Sequence, residues 1–288
     1  MKGNRSIQRS KQRSKRRSVS KKEMRIPKMI HQIWIGSNVV PELQQLYMNT
    51  CNHIDGWNYR LWTNDDITPD QFPKTYDYIQ KVIAAGKKMN APTTKYAQIS
   101  DLMRLEILYH HGGVYLDTTI ECVKTDKLAK MIGDATFVVS NEDICEFDCF
   151  GRDDKRYISN SFIASIPRNP ILRHLLMKKN LNKMDFMEKR VNMVSGPYYL
   201  GEQLYVLQKD YDITMLPSPW VYPHGEKNDY RSRAKPDRCL SKKKTDRTTR
   251  QMKKGDQTVF LEYPCTSFPR SYLIKHFDAG GSWIPAKF

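Results

Sequence analysis

Apolar positions along the chain form short runs typical of strands in some segments and follow the helical period in others. The alternation of these two kinds of segment predicts the class of fold. Short apolar runs bounded by turn residues predict strands at 29–35, 57–62, 114–116, 135–139 and 162–165. Helical periodicity or a helix-starting proline predicts helices at 41–52, 70–86, 95–111, 170–180 and 201–208. Strands that alternate with helices indicate an α/β domain of Rossmann type, with a mostly parallel sheet flanked by helices. Ligands of such folds bind beyond the carboxyl ends of the strands.

The most informative stretch is Gly112 to Glu121, which follows the most regular of the predicted helices. A double glycine ends that helix, and a short apolar run follows, as in a buried strand. Because strand side chains alternate between faces, Asp117, Thr119 and Glu121 are expected on one side of a strand. Oxygen ligands in that arrangement suit Mg²⁺ or Mn²⁺ and the phosphates that such a cation bridges.

The formal charge of +17 is concentrated in two segments. Residues 1–25 carry 11 Lys and Arg against one Glu, and residues 226–256 carry 12 against five acids, which together account for the whole excess. The first segment is predicted to be a disordered tail and the second a mobile basic loop, because neither has enough apolar residues to form a core. A specific nucleic-acid surface is therefore not expected on the folded body.

The six cysteines show neither zinc-finger nor CxxC spacing, which favours free thiols in a reducing compartment. No apolar run approaches the roughly 18 residues that a transmembrane helix needs, and the basic amino terminus lacks the apolar segment of a secretory signal. We therefore expect a cytoplasmic protein without a transmembrane segment, with a virus-encoded protein or a delivered effector as alternatives.

Five stretches, in order, resemble the DXD-containing sugar transferases of the GT-A fold. They are residues 26–36, the 57–62 strand, the Ser100–Arg104 element that leads to Asp117, the Ser195-Gly196-Pro197 turn, and His276 followed by Ser282 and Trp283. The chain thus resembles the group related to yeast initiating mannosyltransferases, capsular polysaccharide synthesis transferases and glucosylating clostridial toxins. The resemblance implies one GT-A-like domain over residues 26–288.

The resemblance also implies roles for individual residues. It implies that Trp34 stacks on the nucleotide base, and that Asp101 and Arg104 contact the hydroxyls of the donor sugar and its ribose. The remaining donor-binding residues that it implies are Tyr115, Asn160, Ser282 and Trp283. Structural alternatives stay open for several of these residues: a core tryptophan for Trp34 and a surface ion pair for Asp101 with Arg104.

Asp117 corresponds to the first acid of the D-x-D motif, which implies a divalent cation, Mn²⁺ or Mg²⁺, at the donor diphosphate. Thr119 replaces the second acid, and a hydroxyl is a neutral and weaker ligand. Three alternatives follow: weaker metal binding, help from Glu121 or another carboxylate, or action of Asp117 through water. His276 is a further candidate ligand, with a packed or surface histidine as the alternative.

The resemblance implies a glycosyltransferase that moves a hexose from a UDP- or GDP-sugar to a hydroxyl of a glycan, protein or lipid-linked acceptor. Transfer would be assisted by a divalent metal and would retain the anomeric configuration. Thr119 motivates one alternative, a non-catalytic protein of the same fold that binds a nucleotide sugar. The net charge motivates another, a nucleic-acid-binding protein.

Overall fold

The computed structural model describes residues 25–37, 39–90, 92–141, 158–188, 190–222, 248–254, 257–263 and 271–276. Its strands are β1 (Met29–Ile33), β2 (Asn58–Trp62), β3 (Gly113–Leu116), β4 (Ile120–Cys122), β5 (Phe137–Asn141), β6 (Ile158–Ser165), β7 (Thr214–Leu216), β8 (Thr248–Lys254), β9 (Gln257–Tyr263) and β10 (Leu273–Lys275). Its α-helices are α1 (Glu42–Asn52), α2 (Tyr76–Lys88), α3 (Pro92–His111), α4 (Leu128–Ile132), α5 (Pro170–Leu175), α6 (Lys178–Leu181), α7 (Val191–Val194) and α8 (Pro197–Leu207). The predicted tail, apart from Arg25, lies outside these ranges, as do Ser282 and Trp283.

Six strands form the main sheet in the order β2-β1-β3-β6-β5-β7. The pairs β1 with β2, β1 with β3 and β5 with β7 are parallel, whereas β6 runs antiparallel to both of its neighbours. The predicted α/β class with a mostly parallel sheet is therefore confirmed. Two further strand pairs, β4 with β10 and β8 with β9, are antiparallel.

The central strands of the sheet are buried on both faces, and β3 shows how the side chains divide between them. Tyr115 packs in the apolar cluster that contains Leu102 of α3, whereas Val114 and Leu116 pack in the cluster on the other face. This alternation follows from the two-residue period of a strand. It directs the Tyr115 side chain toward α3, the helix that carries Asp101 and Arg104.

The double glycine joins α3 to β3 through left-handed backbone, with φ of +64° at Gly112 and +93° at Gly113. A Cβ at Gly113 would overlap the carbonyl oxygen of Met29 on the neighbouring strand β1. Glycine is therefore needed at Gly113 both for its backbone conformation and for the close approach of β1. This junction sets where β3 begins and hence where its carboxyl end lies.

Part of the segment predicted as a mobile basic loop is instead a β-strand. Residues 248–254 form β8, which pairs antiparallel with β9 immediately after it in sequence. Backbone hydrogen bonds to a neighbouring β-prone segment can hold a polar strand that has no apolar pattern of its own. Residues 226–247 and 255–256 lie outside the described ranges.

Cys51 and Cys122 form a disulfide bond, so the prediction of free thiols is wrong for this pair. The two residues are 71 positions apart in sequence, but α1 lies against β4, and the Cys122 amide donates to the Thr50 hydroxyl over 2.8 Å. Tertiary packing brings the thiols together, and cysteine spacing does not reveal it. Because disulfides are typical of oxidising compartments, the expectation of a reducing compartment loses its support.

None of the described helices combines the length and the apolar content that crossing a membrane requires.

Candidate active site

Asp101 lies on the buried face of α3 and is held by three donors. Its Oδ1 accepts hydrogen bonds from Asn160 Nδ2 at 2.7 Å and from the Arg104 guanidinium at 3.1 Å. Its Oδ2 accepts from the Ser195 hydroxyl at 2.7 Å. Burial raises the pKa of Asp101 to about 6, although Arg104 and the Ser195 hydrogen bond act in the opposite direction. Asp101 thus connects α3 to β6 and to the residue that follows α7.

Arg104 is the centre of the site, with a side chain only 3% exposed. Its Nε donates to the Ser100 carbonyl at 3.1 Å, and its NH1 donates to the Asn160 carbonyl at 2.6 Å. NH1 also lies 3.5 Å from Asp117 Oδ1, and the guanidinium carbon lies 4.5 Å from the centre of the Tyr115 ring. Burial opposes the charged form, but nearby Tyr115 and the two aspartates keep the pKa of Arg104 above its usual value.

Asp117 follows the last residue of β3, at the carboxyl end of a parallel strand, as predicted. Its Oδ1 accepts from the Tyr115 hydroxyl at 2.9 Å, and its side chain is 20% exposed. Burial would raise the pKa of Asp117, but the charges of Lys275 and Arg104 outweigh burial and hold the pKa below its usual value. Asp117 is therefore a carboxylate that reaches both the buried network and solvent.

The expected continuous strand from Asp117 to Glu121 is not formed. The Ile120 amide donates to the Asp117 carbonyl at 3.0 Å, which makes residues 117–120 a turn between β3 and β4. Asp and Thr favour turns, and β4 belongs with β10 rather than with the main sheet. The two-residue period is therefore interrupted, and the prediction that three side chains share one strand face is wrong.

Lys275, at the end of β10, contacts two residues of this turn, Asp117 and Thr119. Its ammonium lies 2.8 Å from Asp117 Oδ2 and 2.6 Å from the Thr119 hydroxyl. The pairing of β10 with β4 places Lys275 opposite Ile120. Sequence reasoning missed this residue, since one lysine among 48 Lys and Arg carries no signal of its own.

Glu121 and His276 form a separate pair behind the turn. His276 Nε2 lies 3.1 Å from Glu121 Oε2, and Glu121 is fully buried. The His276 ring stacks on Tyr47 of α1 at a centroid distance of 4.0 Å. The two residues that were expected to complete a metal site thus contact each other and α1.

Trp34 follows β1 and is 7% exposed, with its amide bonded to the Trp62 carbonyl. Its indole N–H has no hydrogen-bond partner among the described residues.

Of the predicted site residues, the structure brings together Asp101, Arg104, Tyr115, Asp117, Thr119 and Asn160. It adds Ser195 and Lys275 to this group. It does not place Ser282 or Trp283, which lie outside the described ranges.

The described residues do not fit a divalent cation. Mg²⁺ is usually held by one or two protein carboxylates together with substrate phosphates and waters, so a site for it needs at least one carboxylate oxygen free to bind. Here both oxygens of Asp117 are bonded to donors, and Thr119 is bonded to Lys275. Within the described ranges, no three His, Cys, Asp or Glu side chains converge as a metal site. A cation beside Asp117 would also face the positive charges of Lys275 and Arg104.

Comparison with known proteins assigns the chain to a family. The sequence profile of the capsular polysaccharide synthesis protein family matches residues 2–215, and the protein belongs to this family. The resemblance stated from sequence motifs is thereby confirmed.

Individual relatives are sugar transferases by name. Inositol phosphoceramide mannosyltransferase 1 of Schizosaccharomyces pombe is 28% identical over 211 residues, which are 70% of this chain and 58% of the relative. A glycosyltransferase of Acanthamoeba polyphaga mimivirus is 27% identical over 209 residues, or 71% of this chain and 76% of the relative. The solved PaToxG glycosyltransferase shares 22% identity at a TM-score of 0.44, over 64% of this chain and 70% of that one. This chain thus spans just over half of the length of the Schizosaccharomyces pombe relative.

Proposed function

We propose that the protein is a glycosyltransferase that moves a hexose from a UDP- or GDP-sugar to an acceptor hydroxyl, with retention of anomeric configuration. The observation that carries the proposal is the buried network of Asp101, Arg104 and Asn160, which ends at Asp117 on the carboxyl side of β3. Open α/β sheets bind ligands at this edge. Family membership and the names of the relatives support a sugar as the group transferred.

Within this network Asp101 acts as a positioning residue. Both of its oxygens are used by Asn160, Arg104 and Ser195, so its carboxylate holds those groups in place. The network prepares Asn160, Arg104 and the partly exposed Asp117 to meet the hydroxyls of the donor. Groups held in place before binding lose little entropy when the substrate arrives.

The proposed reaction exchanges one bond at the anomeric carbon for another. The bond between the anomeric carbon and the β-phosphate oxygen breaks, and its electron pair stays on that oxygen. The acceptor hydroxyl oxygen forms the new bond to the same carbon, and its proton passes to the released diphosphate. Negative charge therefore develops on the leaving phosphate, where fixed positive groups lower the barrier most.

Among possible acceptors, glycans, proteins and lipid-linked molecules all offer a hydroxyl. The name of the Schizosaccharomyces pombe relative specifies transfer of mannose to inositol phosphoceramide, which supports a hexose donor and favours testing a lipid-linked acceptor first.

A donor screen tests the proposal. Wild-type protein and Asp117→Ala are incubated with UDP- and GDP-hexoses, and release of the nucleoside diphosphate is measured. We expect release from one donor by the wild type and a loss of roughly 100-fold or more in the variant. Tight donor binding in calorimetry without any release would instead support a non-catalytic nucleotide-sugar-binding protein.

A further inference from the structure

A lysine occupies the place beside Asp117 where the D-x-D resemblance implies a divalent cation. Lys275 reaches it from β10, and its ammonium contacts Asp117 and the hydroxyl of Thr119, the residue that replaces the second acid. A threonine hydroxyl can accept a hydrogen bond from the ammonium, and it is a weaker metal ligand than the carboxylate that it replaces. The replacement at Thr119 and the position of Lys275 therefore fit each other.

The ammonium retains capacity for a further ligand. A lysine ammonium has three N–H groups, and Lys275 donates two of them to Asp117 and Thr119. The described residues show no acceptor for the third, and the Lys275 side chain is 14% exposed. A phosphate oxygen arriving from solvent can therefore accept a hydrogen bond from an ammonium that is already held in position.

The charges of the site point in the same direction. Asp117 faces two cations, Lys275 at 2.8 Å and Arg104 at 3.5 Å, so its negative charge is already balanced. Asp101 is likewise paired with Arg104. The described cluster of two carboxylates and two cations is neutral, so an incoming diphosphate meets no net repulsion there and can accept a hydrogen bond from the partly exposed lysine without a metal ion.

We propose that the Lys275 ammonium, held by Asp117 and Thr119, binds the donor diphosphate and stabilises the leaving nucleoside diphosphate in place of a divalent cation. This inference rests on the proposed transferase function for its catalytic part. The electron pair of the broken sugar–phosphate bond stays on the β-phosphate oxygen, and a Lys275 N–H donates to that oxygen as its charge grows. Lys275 supplies charge and a hydrogen bond and forms no covalent bond.

Nucleotide binding tests this role without requiring turnover. Affinities for UDP, GDP and the corresponding monophosphates are measured by calorimetry in EDTA and in Mn²⁺, with the full chain. The variants are Lys275→Gln, which removes the charge, Lys275→Arg, which keeps it, and Lys130→Gln, a control that removes an exposed lysine from α4. Thermal unfolding of each variant shows whether it is folded.

The wild type and Lys130→Gln should bind a diphosphate in EDTA and prefer it to the monophosphate. Lys275→Gln should weaken diphosphate binding by roughly 10- to 100-fold and lose most of that preference, because a charge-assisted hydrogen bond to phosphate is lost. Lys275→Arg should stay within about tenfold of the wild type, since the positive charge remains. If Lys275→Gln is unfolded, the role of Lys275 is tested by the diphosphate affinity of Lys275→Arg and of the wild type in EDTA. Diphosphate binding by the wild type only in Mn²⁺ would overturn that role.

Two results separate this inference from the proposed function. Sugar transfer that requires Mn²⁺ and is unchanged in Lys275→Gln would overturn the role of Lys275 and leave the transferase assignment intact. Diphosphate binding that depends on Lys275 in EDTA, without turnover of any donor, would support the role in binding and contradict the transferase. Wild-type protein that binds neither UDP nor GDP under either condition would overturn both.

Discussion

The Ser195 hydroxyl donates to Asp101 Oδ2 over 2.7 Å and joins two residues that are 94 positions apart in sequence. This hydrogen bond lowers the pKa of Asp101, which burial raises to about 6. Ser195 therefore helps to keep Asp101 as the carboxylate that holds Asn160 and Arg104. The site depends on the ionisation state of one buried acid that is not itself at the reacting atoms.

This relationship predicts an acid limb in the pH profile. Transfer activity should fall as pH drops through about 6, because protonated Asp101 loses its charge against Arg104. Ser195→Ala should move this midpoint to higher pH, since the carboxylate loses a donor. Activity measured from pH 5 to 8 gives both midpoints, and Ser195→Thr, which keeps the hydroxyl, should restore the wild-type value. An unchanged midpoint in Ser195→Ala would contradict the positioning role.

Arg104→Lys should abolish most of the activity although it preserves the charge. Arg104 makes hydrogen bonds in three directions, to the Ser100 and Asn160 carbonyls and to Asp101. A lysine presents one point of charge and cannot reproduce the planar guanidinium geometry. We expect roughly a 100-fold lower kcat and about 2 kcal/mol lower stability from the acceptors left unpaired. Turnover and urea unfolding measure these effects, and near-normal turnover would show that the guanidinium fork is dispensable.

His31 on β1 makes the folded protein sensitive to acid. Trp62 donates its indole N–H to His31 Nδ1 at 3.2 Å, so the ring is neutral and donates from Nε2 to the Gly112 carbonyl at 3.0 Å. Burial lowers the pKa of His31 to about 4, against the Gly112 hydrogen bond, which raises it; smaller effects of nearby His111 and Arg60 also lower it. Between pH 6.5 and 4 the unfolded chain therefore binds a proton at His31 that the folded chain excludes.

Stability should consequently fall as pH drops from 6.5 to 4, by about 3 kcal/mol from His31 alone. Asp101, with its raised pKa, acts in the opposite direction over part of this range, so the comparison must be made between variants. The free energy of unfolding is measured by urea across this pH range for the wild type and for His31→Gln. Its decrease between pH 6.5 and 4 should be smaller in His31→Gln by about 3 kcal/mol. Parallel curves for the two proteins would show that His31 titrates normally.

Gly113→Ala should destabilise the protein by about 2 to 5 kcal/mol, the sum of left-handed backbone strain and overlap with Met29 on β1. Gly56→Ala is the matched control, because Gly56 has a φ of +72° but no atom within 4 Å of an added Cβ. The control should lose only the strain, about 1 to 2 kcal/mol. Urea unfolding of both variants measures the difference, and equal losses would show that the contact between β3 and β1 tolerates a methyl group.

Most of the sheet could be predicted from local pattern. The apolar runs at β1 and β5 predict those strands, and the run at 162–165 predicts the second half of β6. The strand period explains why Tyr115 faces α3. The helix α3 was recognised by its apolar face, although it begins at Pro92 rather than Lys95. Proline is tolerated in the first turn of a helix, so Pro92 is compatible with the helix start.

The arrangement around Asp117 could not be predicted, because it depends on segments that are distant in sequence. Lys275 is 158 positions from Asp117 and reaches it only through the pairing of β10 with β4. The same pairing brings His276 into contact with Glu121, and the packing of α1 on β4 brings Cys51 and Cys122 together as a disulfide bond. Motif resemblance pointed to Asp101, Arg104 and Asp117, but their partners that are distant in sequence, Asn160 and Ser195 for Asp101 and Lys275 for Asp117, are a product of the tertiary fold.

In the proposed function, Asp117 belongs to a sugar-transferring site. The most direct test compares kcat for release of nucleoside diphosphate from the preferred donor by the wild type, by Asp117→Asn and by Asp134→Asn, which removes an exposed carboxylate elsewhere. Asp117→Asn keeps the shape of the side chain but removes the charge that holds Lys275 and Arg104. We expect roughly a 100-fold or greater loss for Asp117→Asn and none for the control. Equal turnover by all three proteins would contradict the account.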